Sequence, residues 1–248
     1  MAKAKNFQLS ADTLGTEFVT IHVGPKRKTF AVHKKLLCDC SDFFSKAFDG
    51  GFKEAKEGVM YLPEDSADAF DSLINYLYQD CLPAFPNQKH RDNAMDVSNF
   101  SADILYSLFA LAEKFCINRL ANRVMDRLQD LHDEYDVIPD LVESKKAYSI
   151  TSPTSKLRSY SILTLLHNNL YVGAKEKDWF DVHSVRRLVT DCPEFAVDYL
   201  LLHAEHKQRF NSEGLIDLQS RDDEEGLGRC FFHTHGRGER CHLDPSDE

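Results

Sequence analysis

FVTIHVGPKRKTFAVHKKLLCDCSDFFSKAFDGGFKEAKEGVMYL, from Phe18 to Leu62, carries more of the architecture than any other stretch of this chain. It opens with alternation: Val19, Ile21 and Val23 set against Thr20 and His22, the period of a half-buried strand. Gly24-Pro25 and the cations Lys26, Arg27 and Lys28 supply a turn, and Thr29 to Val32 reads as the returning strand. The period then changes. Leu36 and Leu37, followed by Phe43, Phe44, Ala47 and Phe48, recur at helical spacings, with Ser41 and Asp42 placed as helix starters. Gly50-Gly51 ends that pattern, and Val59 to Leu62 predicts a third short strand ahead of Pro63.

Working outward, Ser66 to Tyr78 places Phe70, Leu73, Ile74 and Leu77 on one face of an amphipathic helix. Residues 81–98 are polar, contain Pro83 and Pro86, and lack a period, so they read as a surface insertion loop. Ser101 is read as starting a helix with Ile104, Leu105, Leu108, Phe109, Ala112 and Phe115 inward, and Cys116 is read as a small core residue inside it. Asn118 starts another, with Leu120, Ala121, Val124, Met125, Leu128 and Leu131 on its apolar side. Pro139 defers the next helix to about Asp140. Ser152-Pro153 is read as a helix start for Leu157, Ile162, Leu165, Leu166 and Leu170, and two more helices are expected over Asp178–Val189 and Pro193–Phe210.

The order of hairpin, helical hairpin and third strand resembles the BTB/POZ fold. The matching residues are Phe30-Ala31-Val32-His33-Lys34, Leu37, Ser41-Asp42-Phe43-Phe44, Phe48 and Phe52-Lys53-Glu54, then Leu62-Pro63-Glu64-Asp65 through Phe70, Leu73, Ile74, Tyr76, Leu77 and Tyr78. Beyond them, Lys156-Leu157-Arg158, Trp179-Phe180 and Pro193-Glu194-Phe195 are similar to the fungal BTB proteins in their order. The resemblance spans residues from about 16 to 210. It implies an α+β fold: a leader over 1–15, a BTB/POZ domain over 16–131, an all-α extension over 132–211 and an acidic tail over 212–248. It also implies a role in protein–protein interaction, and a structural place for His33 at the end of the second strand.

In a subset of BTB proteins a hydrophobic-x-Glu motif after the second helix inserts into a cullin ubiquitin-ligase scaffold. Phe52-Lys53-Glu54 stands at that place, so the resemblance makes Phe52, Glu54 and Phe48 the partner-binding residues of a substrate adaptor. The plain reading is that Phe52 packs its own domain and Glu54 is solvated. The position before the first strand holds Phe18, where many BTB domains carry an Asp that joins the dimer groove. An exposed Phe18 could still bury an apolar contact between protomers, and a homodimer is expected. The second functional reading is therefore a self-associating scaffold or nuclear regulatory protein without a ligase.

The net charge of −10 disfavours nucleic-acid backbones as partners. Six of those charges fall in residues 212–248, and the Lys26-Arg27-Lys28 cluster sits in a turn, where solvated charge is expected. No apolar run approaches the ~18 residues of a membrane span. The first fifteen residues lack an apolar signal block, and the seven cysteines are odd in number and scattered. An intracellular protein without disulfides is the expectation, in cytoplasm or nucleus.

The tail segment CFFHTHGRGERCH, Cys230 to His242, offers the ligand types that zinc prefers. Cys230, His233, His235 and Cys241 form the candidate set, although C-x2-H-x-H-x5-C is not a standard finger spacing. The alternative is that Cys230 and the two phenylalanines dock onto the helical extension while the histidines meet solvent. His203 and His206, three apart with Glu205 beside the second, do not match a helical zinc-hydrolase motif, which needs a spacing of four. No glycine-rich phosphate loop, nucleophile elbow or paired-carboxylate context is present, so no enzymatic activity is expected.

Overall fold

The computed structural model describes residues 9–83, 94–135, 137, 139–167, 182–211, 218, 221 and 227–244. They fall into two compact units. The first comprises Met1–Pro86, Ser107–Val124 and His235–Glu248, and the second Asn87–Tyr106 and Met125–Thr234.

In the first unit the alternating residues form β1 (Phe18–Val23) and β2 (Lys28–His33), an antiparallel pair in the register Phe18 with His33 through Val23 with Lys28. Strand β3 (Val59–Leu62) joins β1 in parallel, Thr20 opposite Val59 and Val23 opposite Leu62, which makes β1 central in the order β2-β1-β3. Val19, Ile21, Val23, Phe30, Val32, Met60 and Leu62 are buried on one face. The other face carries Phe18, Thr20, His22 and Tyr61, as the period of two requires.

The part of the leader from Ala11 to Leu14 is a helical turn, α1, closed by reciprocal bonds between Ser10 and Thr13. Helix α2 (Lys34–Cys40) runs straight into α3 (Asp42–Asp49), whose N-cap is Ser41. The Ser41 hydroxyl accepts the Phe44 N–H at 3.3 Å and donates to the Phe115 carbonyl at 2.5 Å. One side chain thus starts the helix and ties it to the aromatic core of Phe43, Phe44, Phe48 and Phe115. Helix α3 stops at Gly50, where a Cβ would lie 2.3 Å from the Lys46 carbonyl oxygen, so only glycine fits.

A five-residue helix not visible in the pattern, α4 (Lys53–Glu57), follows and ends at Gly58, whose φ of 64° is the left-handed cap that glycine favours. Helix α5 (Ala67–Gln79) starts at Ser66, as its sequence predicts.

Helix α6 (Ala94–Lys114) begins seven residues before Ser101, so the last residues of the predicted insertion loop are helical; residues 84–93 lie outside the described set. Cys116 corrects the sequence reading. It is exposed, with φ of 57°, and sits in the bend between α6 and α7 (Asn118–Tyr135). Its flanks Phe115 and Ile117 are the buried residues there.

The second unit holds α8 (Leu141–Ile150), α9 (Lys156–His167), α10 (Val182–Asp191) and α11 (Pro193–Asn211). Asp140 caps α8 with a capping box to Glu143, close to where Pro139 defers it. Helix α9 begins at Lys156, not at Ser152-Pro153: the Ser152 carbonyl closes a turn with Ser155 N–H, and the Ser155 hydroxyl accepts from Leu157 N–H. Helix α10 is described from Val182, and the expected start at Asp178, with Trp179-Phe180, lies outside the described residues. None of the seven cysteines is in a disulfide. No helix among the described residues is long and apolar enough to cross a membrane.

Candidate interaction surface and metal centre

Phe52, the N-cap of α4, is 61% exposed, with its ring running beside Gly50. Glu54 lies in the first turn of α4, half-buried, and its carboxylate makes no ion pair among the described residues; its neighbours Lys53 and Glu57 pair with each other. The backbone beneath is fixed, because Gly58 N–H donates to the Glu54 carbonyl at 2.9 Å and the Gly58 carbonyl accepts Thr20 N–H at 2.8 Å. An apolar ring and a carboxylate therefore stand on a short helix clamped to the central strand. Phe48, expected at the contact, is instead a core side chain at 2% exposure, stacked on Phe44. It supports the surface from below.

The outer face of the sheet is a second exposed surface. Phe18 is 58% exposed and packs on His33, with ring centres 4.2 Å apart. His22 stacks on Tyr61 at 4.9 Å, and the Arg27 guanidinium lies over the same Tyr61 ring. His33 is a structural residue: its Nδ1 is 2.7 Å from the Tyr78 hydroxyl, and its backbone N–H donates to that oxygen.

The four tail residues are divided between the two units: Cys230, half-buried, and His233, buried, belong to the second, and His235, exposed, and Cys241, buried, belong to the first. In the first unit, Gly236 N–H donates to the Glu239 carboxylate at 2.6 Å, and Glu239 N–H donates back to the Gly236 carbonyl at 3.0 Å, which closes a turn ahead of Cys241. Burial disfavours the Glu239 carboxylate, but hydrogen bonds from Asn118 and Gly236 outweigh it and hold the group below its ordinary range.

Phe231 and Phe232 pack on helices of the second unit. Phe232 packs edge-on against Tyr160, Phe231 meets the His206 ring, and the Lys156 ammonium donates to the Phe231 carbonyl at 3.0 Å. His235 is exposed and His242 half-buried. His233 is buried, with Nε2 2.9 Å from the Asp126 carboxylate.

Asp126 is the residue that pattern reading missed. It belongs to a polar stripe on α7, Asn122, Asp126, Gln129 and His132, all buried and spaced by four, three and three residues. The Gln129 amide donates to the Leu218 carbonyl, Asp126 faces His233 and Arg221, and His132 meets the Tyr160 hydroxyl at 2.7 Å. Helical spacing of buried-type polar residues was the available signal.

Two titrating groups in the second unit, one buried and one half-buried, act in opposite directions. Burial holds the His132 imidazole at about 4, below its ordinary 6.5. Burial also pushes Glu143 up to about 7 from an ordinary 4.5, against the opposing bond from Asp140 N–H. His132 stays neutral in the fold, so its contribution is present above pH 6.5 and is lost as pH falls toward 4. Glu143 stays protonated, so its contribution is present below pH 4.5 and is lost as pH rises through 7. Each amounts to about 3 kcal/mol, and between pH 4.5 and 6.5 the two slopes offset each other. Glu143→Gln keeps the acceptor for Asp140 and removes one slope. Urea unfolding of this variant is expected to gain about 3 kcal/mol between pH 4 and 6.5 where the parent stays nearly flat; a flat variant contradicts the assignment.

A three-stranded sheet with a parallel third strand, packed on helical hairpins, is the architecture of BTB/POZ domains. Residues 16–131 match the family model described as "BTB/POZ domain", and this part of the chain is a BTB/POZ domain, a protein–protein interaction module. Over 97 residues, 39% of the chain, it is 30% identical to a BTB/POZ domain-containing protein of Arabidopsis thaliana. Over 52 residues, 21% of the chain, it is 38% identical to Kelch-like protein 26 of Homo sapiens. The matches span 11% and 8% of the lengths of these relatives.

Proposed function

We propose that this protein is an interaction adaptor whose BTB unit docks a cullin-type scaffold through Phe52 and Glu54. The observation that supports it best is Phe52 itself: a large apolar ring, 61% exposed, set on a clamped helix beside a carboxylate with no ion-pair partner among the described residues. Exposing such a ring is costly unless a partner covers it, and an apolar centre with a charged rim is the usual make-up of an energetic hot spot. The helical region beyond Ser152, or the tail, would then hold the client. Non-enzymatic binding is the reading for the whole chain.

A second reading, self-association, is favoured by the aromatic outer face of the sheet, where Phe18 and Tyr61 are both more than half exposed. One set of preparations separates the two. Affinity capture of the tagged chain is expected to bring down a cullin, and Phe52→Ala with Glu54→Lys to weaken that capture by about 30-fold, the size of a ~2 kcal/mol hot spot. If the unaltered chain brings down no cullin, the adaptor reading is wrong. Light scattering of the same material over a concentration series gives the mass, and a strict monomer removes the self-associating scaffold.

A further inference from the structure

We propose that the outer face of α11 is the docking surface for an amphipathic helix of a partner protein, one with apolar anchors at helical spacing and lysine or arginine along one flank. This deepens the adaptor reading by locating its client contact, and it uses residues of the second unit alone.

Helix α11 is apolar on two opposite faces. Its inner face carries Phe195 and His206, both buried, with Tyr199 between them, and packs on α9 and α10. The Phe195 ring meets Tyr148 and Tyr199, and the His206 ring meets Phe231. On the opposite side Val197, Leu200 and Leu201 are 56%, 66% and 62% exposed, and the exposed Ala204 completes an i, i+3, i+4, i+7 stripe. A helix that is apolar all round belongs with neighbours on both sides.

The charges beside the stripe select the partner. At about 100° per residue, Glu194, Asp198 and Glu205 all fall along one edge of it. Two of them are pinned there: the Arg158 guanidinium donates to Glu194 at 2.7 Å, and the Tyr148 hydroxyl donates to Asp198 at 2.7 Å. The Glu194 and Glu205 side chains nevertheless stay 64% and 70% exposed. The other edge offers His203 and one cation, Lys207. Apolar anchors with an acidic rim fit a helix of the reverse pattern. A second copy of α11 lacks that pattern. An antiparallel two-fold pair sets the acidic edges against each other, and a parallel pair sets three carboxylates against the single Lys207.

The probe is a fluorophore-labelled synthetic peptide of about 18 residues, five helical turns, with leucines at the same spacing and lysines along one flank. A twin carries glutamates in place of the lysines. Anisotropy titration with the full chain is expected to give a Kd on the order of 10 µM for the lysine probe, as suits a small interface, and binding of the twin about ten-fold weaker or worse. Leu200→Gln with Leu201→Gln is expected to weaken the lysine probe by about ten-fold or more, at two exposed positions where the fold is not at stake. Glu205→Lys weakens the lysine probe and tightens the glutamate twin, a reversal that misfolding cannot produce. Glu64→Lys, the same change of net charge at an exposed site of the first unit, leaves both probes as they were. No binding, equal affinity for the two probes, binding that survives the double glutamine variant, or a response to Glu64→Lys matching that of Glu205→Lys overturns the proposal. So does a parent chain that light scattering shows to be a dimer and that becomes a monomer in the double variant, because the face would then belong to a second copy. Cullin capture through Phe52 and Glu54 does not enter these measurements, so either reading can fail without the other.

Discussion

Arg158→Ala is expected to destabilise the second unit by about 3–5 kcal/mol, lowering its urea midpoint by roughly 2 M. Arg158 is 5% exposed, and four bonds leave its guanidinium. It donates to the Tyr148 carbonyl at 3.0 Å, the Thr151 carbonyl at 2.6 Å, the Thr151 hydroxyl at 3.3 Å and the Glu194 carboxylate at 2.7 Å. Its guanidinium carbon also lies 4.4 Å from the centre of the Tyr148 ring, which packs edge-on against Phe195. A single side chain from α9 therefore satisfies the frayed end of α8 and ties both to the start of α11. Truncation leaves two backbone carbonyls without a donor and opens a cavity under Tyr148, and both losses fall on buried groups. Arg158→Lys separates charge from shape: one ammonium cannot replace a planar fork with several donors, so most of the loss is expected to remain. Full recovery in the lysine variant would mean that charge alone mattered.

The second large effect belongs to Phe44. It is fully buried and touches Phe43, Phe48 and Phe115, with ring centres 5.3, 6.3 and 4.6 Å away. Phe44→Ala removes a whole ring from a cluster that joins α3 to the end of α6, and a cost of about 3–5 kcal/mol follows. Phe44→Leu keeps much of the volume and is expected to lose under half as much. Since Phe48 is part of the same stack and lies beneath α4, the alanine variant should also lose the support of Phe52. Amide exchange through Lys53–Glu57 is the check: protection there is expected to fall in Phe44→Ala and to stay in Phe44→Leu. Unchanged protection would show that α4 stands without the aromatic core.

Much of the first unit was legible because its signals were redundant. Alternation in β1 agrees with the glycine turn, and Ser41 and Ser66 are caps ahead of apolar faces that the packing then buries. Where a signal stood alone it misled. Phe115-Cys116-Ile117 reads as a continuing helix because all three residues are apolar, yet the chain turns at Cys116 with no glycine to mark the bend. Helix α4 is too short to display a period, and α9 starts at Lys156, after Ser155, because a turn from Ser152 uses up the earlier serine.

The candidate metal set was legible as ligand types and not as geometry. Nothing in C-x2-H-x-H-x5-C states that Glu239 will fold the loop back. Nor does it state that a carboxylate 107 positions earlier will face His233.

The parallel pairing of β1 with β3 has a kinetic corollary. β1 and β2 are joined by a tight reversal and α2 with α3 by a single residue, so both can assemble from near neighbours in microseconds. Bonds from Thr20 to Gly58 and from Gly24 to Leu62 must instead wait until nearly forty intervening positions have been gathered. A nascent polypeptide therefore leaves one margin of its central strand unsatisfied until the helical hairpin has condensed, and during that interval the margin is open to pairing with a neighbouring chain.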